Sequence, residues 1–294
     1  MGASSIPVDL LNPGQVFACM GFLEAAHALC GPAEGGFHWA SEYDPTARFD
    51  LHAEGCDDPV AHVLEFVAGA EVLAAAPNGW APAKADAEQT LVSSGDRFPA
   101  RAVNETSLPI VLKSGNRTIS LGHWTDGSSR DEFKLYAGNR SAQGIARVQV
   151  KGKATAKGVI TVSGIAHLLN AHGQALVDDP LGITVPLAGS FNLDARCAWL
   201  SIDAGYSPND HNQQVVGSPV VEMMGAWGLE HARPQRLGTR HYRYAAWAGA
   251  LDAMLARAQF AEAFALPERR VFAFRLGLSG KNKIVQFAEE EKGS

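Results

Sequence analysis

The spacing of apolar segments predicts an α+β protein, and three observations carry the prediction. The first 121 residues run strand, helix, strand, strand, helix, strand, strand. This is the βαββαβ order of a ferredoxin-like (RNA-recognition-like) unit with one added strand. Turns at Tyr43-Asp44-Pro45 and Ser114-Gly115-Asn116 join successive strands directly, in keeping with the antiparallel sheet of such a unit. Finally, 294 residues with 46% hydrophobic and 19% charged content suffice for a substantial core. The expected division is a ferredoxin-like N-terminal half, residues 1–125, with an α+β C-terminal half, 126–294, packed on it. A single domain, or a tandem or elaborated pair of such units, fits the same content.

Ile6–Leu10 reads as the opening strand. Asn12-Pro13-Gly14 then supplies a cap and a first-turn proline for a helix over Gln15–Leu29, whose apolar residues cover most of its surface. Gly31-Pro32 ends it. Gly36–Ala40 and Thr46–His52 read as strands around Tyr43-Asp44-Pro45. Asp57-Asp58-Pro59 starts a second helix, expected to continue from Val60 to Ala75 on the stripe Val63, Leu64, Val67, Leu73. A loop rich in Pro, Ala and Gly follows from Pro77 to Asp96. Leu108–Leu112 and Thr118–Leu121 form a hairpin across Ser114-Gly115-Asn116.

The second half is less regular. Phe133–Tyr136 reads as a strand, Ser141 as the N-cap of a short helix, and Lys151–Lys157 as an exposed basic hairpin or loop. Val162–Ala171 is a short helix and Val185–Leu193 a strand. Pro219 opens a helix through Glu230. Leu237–Trp247 is a strand with one polar face, Leu251–Phe264 a helix, and Arg270–Gly277 a strand. A hairpin tip at Ser279–Lys283 leads into Ile284–Phe287, and Glu289-Glu290-Glu291 is expected to fray.

The formal charge of −6 and pI near 5.9 argue against a generally basic nucleic-acid coat, though local basic patches remain compatible with it. No run approaches the ~20 apolar residues of a membrane span. The N-terminus has no basic segment followed by an apolar one, so no signal peptide is expected. The sequons at Asn104, Asn116 and Asn139 then count as chance. Cys19, Cys30, Cys56 and Cys197 are scattered with no CxxC pair, which points to reduced thiols in a cytoplasmic protein.

None of the ten histidines lies in a metal-binding spacing. No nucleophile elbow, phosphate loop or dinucleotide fingerprint is present. Asp57-Asp58 and Asp178-Asp179 each precede a proline and suit turns. The reading is therefore non-enzymatic, with no cofactor and no metal. A metal-dependent nuclease using His123, Asp126 and Asp131 is the weaker alternative.

The polar clusters are more informative. In FKLYAGNRSAQGIARVQVKGKATAK a helix start is set among Lys134, Arg140 and Arg147, an arrangement that suits an anion. Lys134, Asn139 and Arg140 lie at one strand end, and Asn192 and Arg196 at another. Lys281 and Lys283 sit at a hairpin tip, and Arg233, Arg236, Arg240, His241 and Arg243 stud a further segment. Cations and amide donors spread over several loops are what holding a phosphate backbone requires. Tyr136, Tyr206, Tyr242, Tyr244 and Trp247 are candidate stacking faces. The nucleic-acid-binding set is thus Lys134, Asn139, Arg140, Asn192, Arg196, Lys281 and Lys283, each positioning phosphate.

IPVDLLNPGQVFACMGFLEAA, FKLYAGNRSA, GSFNLDARCAWLSIDAGYSPND, GLEHARP and SGKNKIVQFAEEE together resemble an accessory subunit family of type I-G (formerly I-U) CRISPR–Cas systems. These segments span residues 6 to 291. The resemblance implies a non-catalytic, cytoplasmic subunit of an RNA-guided interference complex. Its implied partners are the other type I-G effector subunits, the CRISPR RNA and/or target DNA, and the helicase-nuclease. In such machines base pairing reads sequence while protein holds backbone shape. A pure adaptor, linking effector complex and helicase-nuclease through protein-docking loops, is the alternative.

Overall fold

The computed structural model describes residues 1–41, 44, 46–80, 89–95, 107–125, 133–136, 140–198, 215–279 and 282–291. It is a mixed α+β protein; among the described residues its strand ladders are antiparallel except for the pair Glu71–Ala76 with Leu91–Ser93. In chain order the first half holds β1 (Gly2–Asp9), α1 (Pro13–Cys30), β2 (Ala33–His38), β3 (Thr46–Ala53), α2 (Pro59–Gly69), β4 (Glu71–Ala76), β5 (Leu91–Ser93), β6 (Ile110–Ser114) and β7 (Arg117–Leu121). The middle holds α3 (Ala142–Lys151), β8 (Lys153–Ala154), β9 (Ile160–Val162), α4 (Ile165–His172), α5 (Gln174–Asp178), β10 (Val185–Pro186) and β11 (Val216–Gly217). The remainder is α6 (Pro219–His231), β12 (Gln235–Gly238), β13 (His241–Trp247), β14 (Leu251–Asp252), α7 (Ala253–Phe260), β15 (Arg269–Ser279), β16 (Asn282–Val285) and β17 (Glu289–Glu290).

Two helices that lack a polar face set the architecture. A helix that is apolar all round has to be enclosed. In α1 every residue from Pro13 to Ala26 is buried, and in α6 every residue from Pro219 to Leu229. Asn12 caps α1 by accepting from Gly14 N–H, and Ser218 caps α6 by accepting from Val221 N–H. The two helices lie against each other along glycines. A Cβ on Gly21 would stand 1.9 Å from the Met224 carbonyl oxygen, and one on Gly228 would stand 2.1 Å from that of Phe17. Only glycine permits this approach.

Sheets enclose the pair. One has the order β1-β3-β2-β14, with Ile6 opposite Phe49 and Phe37 opposite Phe49 on β3's other side. A second, β5-β4-β6-β7, lies beyond α2, and β4 joins it rather than the first. A third is β12-β13-β15-β16, with β17 also on β15. Phe17 of α1 meets Phe133, Tyr244, Phe260 and Phe274 edge-on at 5.8–6.2 Å, so one ring joins the helix pair to the third sheet. A single hydrophobic cluster runs from Ile6 to Ala288 through both halves of the chain.

Several expectations are corrected. The second helix stops at Gly69, and Glu71–Ala76 is a strand, because pairing with β6 overrides the helix preference of its alanines. Phe133–Tyr136 is irregular: the Leu135 carbonyl accepts from Lys283 N–H of β16 and from the Asn192 side chain, but the segment forms no ladder with that strand. Only Val185–Pro186 of the strand expected to Leu193 is extended in a ladder; Pro186 has no N–H to donate, and Asn192 has a φ of 63°. Leu237–Trp247 folds into two strands at Arg240, whose φ is 56°. The expected Leu251–Phe264 helix is shortened to Ala253–Phe260. The acidic end does not fray within the described residues. Glu289–Glu290 pairs with β15, Glu290 grips Arg270 at 2.7 Å twice, and Glu291 grips Arg243 at 3.0 and 2.6 Å.

Gly21→Ala forces a methyl group into a carbonyl, and Gly228→Ala does the same from the other helix. Each is expected to cost about 2–3 kcal/mol or more in urea unfolding. Wild-type midpoints for both variants would refute the close contact.

Candidate nucleic-acid interface

Distant segments converge at one junction. The Leu135 carbonyl accepts from Lys283 N–H at 3.0 Å and from Asn192 Nδ2 at 3.4 Å, and Val285 N–H donates to the Asn192 carbonyl at 3.1 Å. The stretches 133–136, 188–194 and 282–285 are thereby fastened together. Arg140, one residue before the N-cap of α3, reaches the same region by donating to the Ala188 carbonyl.

Not all the predicted residues are available there. Lys134 Nζ donates to the Tyr136 carbonyl at 3.4 Å and lies 4.2 Å over the Tyr136 ring. Arg140 is exposed and donates to the Ala188 carbonyl. Lys283 is half-buried. Asn192 is turned inward, its side chain on Leu135 and its N–H on Ser190 Oγ. Arg196 grips the buried Asp194 through Nε at 2.9 Å and Nη2 at 2.8 Å, and also reaches the Leu181 carbonyl. Asn139 and Lys281 lie outside the described residues. Lys134, Arg140 and Lys283 thus share the junction, whereas Asn192 and Arg196 build it.

The other candidates are corrected by burial. Tyr136, Tyr242, Tyr244 and Trp247 belong to the core and offer no face to a base; Tyr206 lies outside the described residues. Arg233 is directed inward, to the carbonyls of Leu229 and His123, and Arg243 to Glu291. His123 is buried with Nδ1 at 3.2 Å from the Ala226 carbonyl. Burial and the nearby Arg233 guanidinium hold its pKa down to about 3, so the ring is neutral. Asp126 and Asp131, its proposed companions, lie outside the described residues.

Beneath the junction is a polar cluster that the sequence reading passed over. Glu222 is fully buried on α6 and accepts the N–H groups of Phe191 at 2.6 Å, Leu193 at 3.1 Å and Asp194 at 3.0 Å. Asp194 accepts from Asn12 Nδ2 and Ser218 N–H, both at 3.0 Å. Asn12 Oδ1 in turn accepts from Ala195 N–H at 3.2 Å. The caps of α1 and α6 are therefore linked through one loop. A lone glutamate in PVVEMMGAW is the signal that could have found it, because a charge inside an apolar helix needs a partner. Burial, helped by the Asp194 carboxylate, raises the Glu222 pKa to about 7, outweighing the Asp194 and Phe191 backbone N–H groups and the Ser190 side chain that pull it down.

A second overlooked feature is one of charge. Between Phe133 and Val177 the chain has no Asp or Glu but carries Lys134, Arg140, Arg147, Lys151, Lys153 and Lys157, a local +6 within a chain of −6. The structure folds this run into α3, the β8–β9 hairpin, α4 and the start of α5. Lys151 Nζ donates to the Ala68 carbonyl at 2.7 Å, next to the C-terminal end of α2. Lys153 and Lys157 are exposed on the hairpin, as are Val159 and Ile160.

No family model matches the chain, and no curated protein or solved structure matches it either. Among the described residues no helix is long and apolar enough to cross a membrane.

The two shifted groups give opposite pH slopes. His123 binds its proton less readily when folded, so it makes stability rise with pH between about 3 and the ordinary histidine value near 6.5. Glu222 binds its proton more readily when folded, so it makes stability fall between about 4.5 and about 7. The slopes cancel where the windows overlap. Urea unfolding is expected to show a plateau between roughly pH 4.5 and 6.5, falling on either side. In Glu222→Gln the decline above pH 6.5 should disappear; an unchanged decline would assign it to another group.

Proposed function

We propose that this protein is a non-catalytic subunit that holds a nucleic-acid backbone, and that it serves in a type I-G CRISPR–Cas interference complex. The observation that carries the first part is the acid-free, basic run from Phe133 to Val177, set against an acidic remainder. Phosphate contact relies on cations that are not cancelled by neighbouring carboxylates. Lys153 and Lys157 on the exposed hairpin, with Arg140 and Lys283 near the Leu135 junction, supply such cations. The CRISPR assignment rests on the resemblance of the segments quoted above, and with it come the guide RNA or target DNA, the other effector subunits and the helicase-nuclease as partners. The cytoplasmic setting belongs to the same proposal.

The fold proposal is finer than an α+β assignment. The run β1-α1-β2-β3-α2-β4, with three strands ordered β1-β3-β2, supports a ferredoxin-like unit in which β4 has moved to the neighbouring sheet. The adaptor reading is favoured by a different observation: Val159 and Ile160 are 62% and 50% exposed beside the lysines, an apolar patch better suited to a protein surface than to phosphate.

Fluorescence anisotropy with single-stranded RNA and with duplex DNA, over a range of salt, tests the proposal. Wild type should bind with log K falling linearly in log salt. Lys153→Glu/Lys157→Glu should reduce the slope by about two, and Lys283→Glu by about one. Absence of binding and of slope, together with co-purification with effector subunits, would select the adaptor.

A further inference from the structure

Cys30 is the last residue of α1, and Cys56 follows β3. Ala33 of β2 is paired with Ala53 of β3, so each cysteine stands three residues beyond the same rung of the ladder, one on each side. The connection is tightened by Glu54 N–H on the Pro32 carbonyl at 3.1 Å. It is tightened further at Gly55, where a Cβ would come within 1.9 Å of the Cys30 carbonyl oxygen. The backbones of the two cysteine segments therefore touch. The Cys56 side chain is near enough to raise the Cys30 pKa, and both residues are half-buried, whereas Cys19 and Cys197 are buried. Beside them Arg117 donates to the Ala28 and Leu29 carbonyls at 3.1 and 3.3 Å, placing a guanidinium at the end of α1. Among the described residues no group of three or more His, Cys, Asp or Glu could hold a metal ion, so the pair is not part of a larger ligand set.

We propose that Cys30 and Cys56 are a reversible dithiol modification site whose co-reactant is a small-molecule disulfide. The Cys56 sulfur, as thiolate, attacks one sulfur of the reagent; the reagent's S–S bond breaks and one small thiolate leaves, taking up the proton that Cys56 released. The Cys30 thiol then gives its proton to solvent, and its sulfur attacks Cys56 in the mixed disulfide and expels the second small thiolate. The cysteine pair loses two electrons, and the reagent is reduced to two thiols. Burial and the neighbouring thiol push the Cys30 pKa up to about 12, which makes Cys30 a poor first nucleophile; its attack on the mixed disulfide relies on the closeness of the two cysteine segments. The closed bridge fastens the end of α1 to the loop that leads into α2, whose Asp58 is the cap.

The test equilibrates the full-length protein with graded ratios of oxidised to reduced glutathione, followed by intact mass and peptide mapping. The expected product has lost two hydrogens and yields a Cys30–Cys56 cross-linked peptide. Reduction by dithiothreitol restores the starting mass. Oxidation should raise the melting temperature of wild type by roughly 5 °C, because the unfolded chain is constrained, and should leave that of Cys30→Ser and Cys56→Ser unchanged. A persistent glutathione adduct on Cys56 of the wild type, or no reaction at either cysteine, overturns the proposal; neither result depends on a variant folding.

Discussion

The approach of α1 to α6 is the constraint on which the rest of the structure depends. Neither helix has a polar side to give to water, so each must be covered on all sides, and each covers part of the other. Glycine at Gly21 and Gly228 lets the backbones meet closely enough for this. The surrounding sheets then need only close the remaining faces. Phe17, held by this contact, fixes where the third sheet sits, through its edge-on contacts with Tyr244 and Phe274.

The same contact explains why carboxylates occur so deep. The starts of both helices leave N–H groups that must be satisfied. The loop through Phe191–Ala195 passes between them and adds N–H groups of its own. Glu222 takes three of the loop's N–H groups, while Asp194 takes Ser218 N–H and the Asn12 amide. Arg196, expected to face phosphate, is needed to balance Asp194. Of the cations proposed to contact phosphate, Arg140, Lys153 and Lys157 lie on the run of chain without acids, where no carboxylate adjoins them in sequence.

How much of this was legible in the sequence depends on where each segment's partners lie. Caps and first-turn prolines are local, so Asn12-Pro13, Asp58-Pro59 and Pro219 marked three helix starts, and Ser141 a fourth, because cap and capped N–H are only a few residues apart. The Ser114–Arg117 turn was legible for the same reason. Glu71–Ala76 was not, because an alanine-rich run favours helix until a distant strand claims it. Nor was the true role of Arg196 or Asn192. A guanidinium bound to phosphate and one bound to a buried aspartate have the same local sequence, and only the burial of Asp194 separates them. The aromatic residues misled in a similar way: Tyr242 and Tyr244 alternate with polar neighbours as exposed rings would, yet they face Phe274 and Phe272 in stacks at 5.6 and 5.5 Å.

The distance in sequence between α1 and α6 has a consequence for biosynthesis. A ribosome delivers Phe17 and Gly21 long before it delivers Met224 and Gly228, whose backbones lie against them. Throughout that interval the nascent chain carries a sticky helix whose natural cover has not been made. Trigger-factor-like holdases, slow elongation or low growth temperature should therefore govern soluble yield more than the stability of the finished fold does.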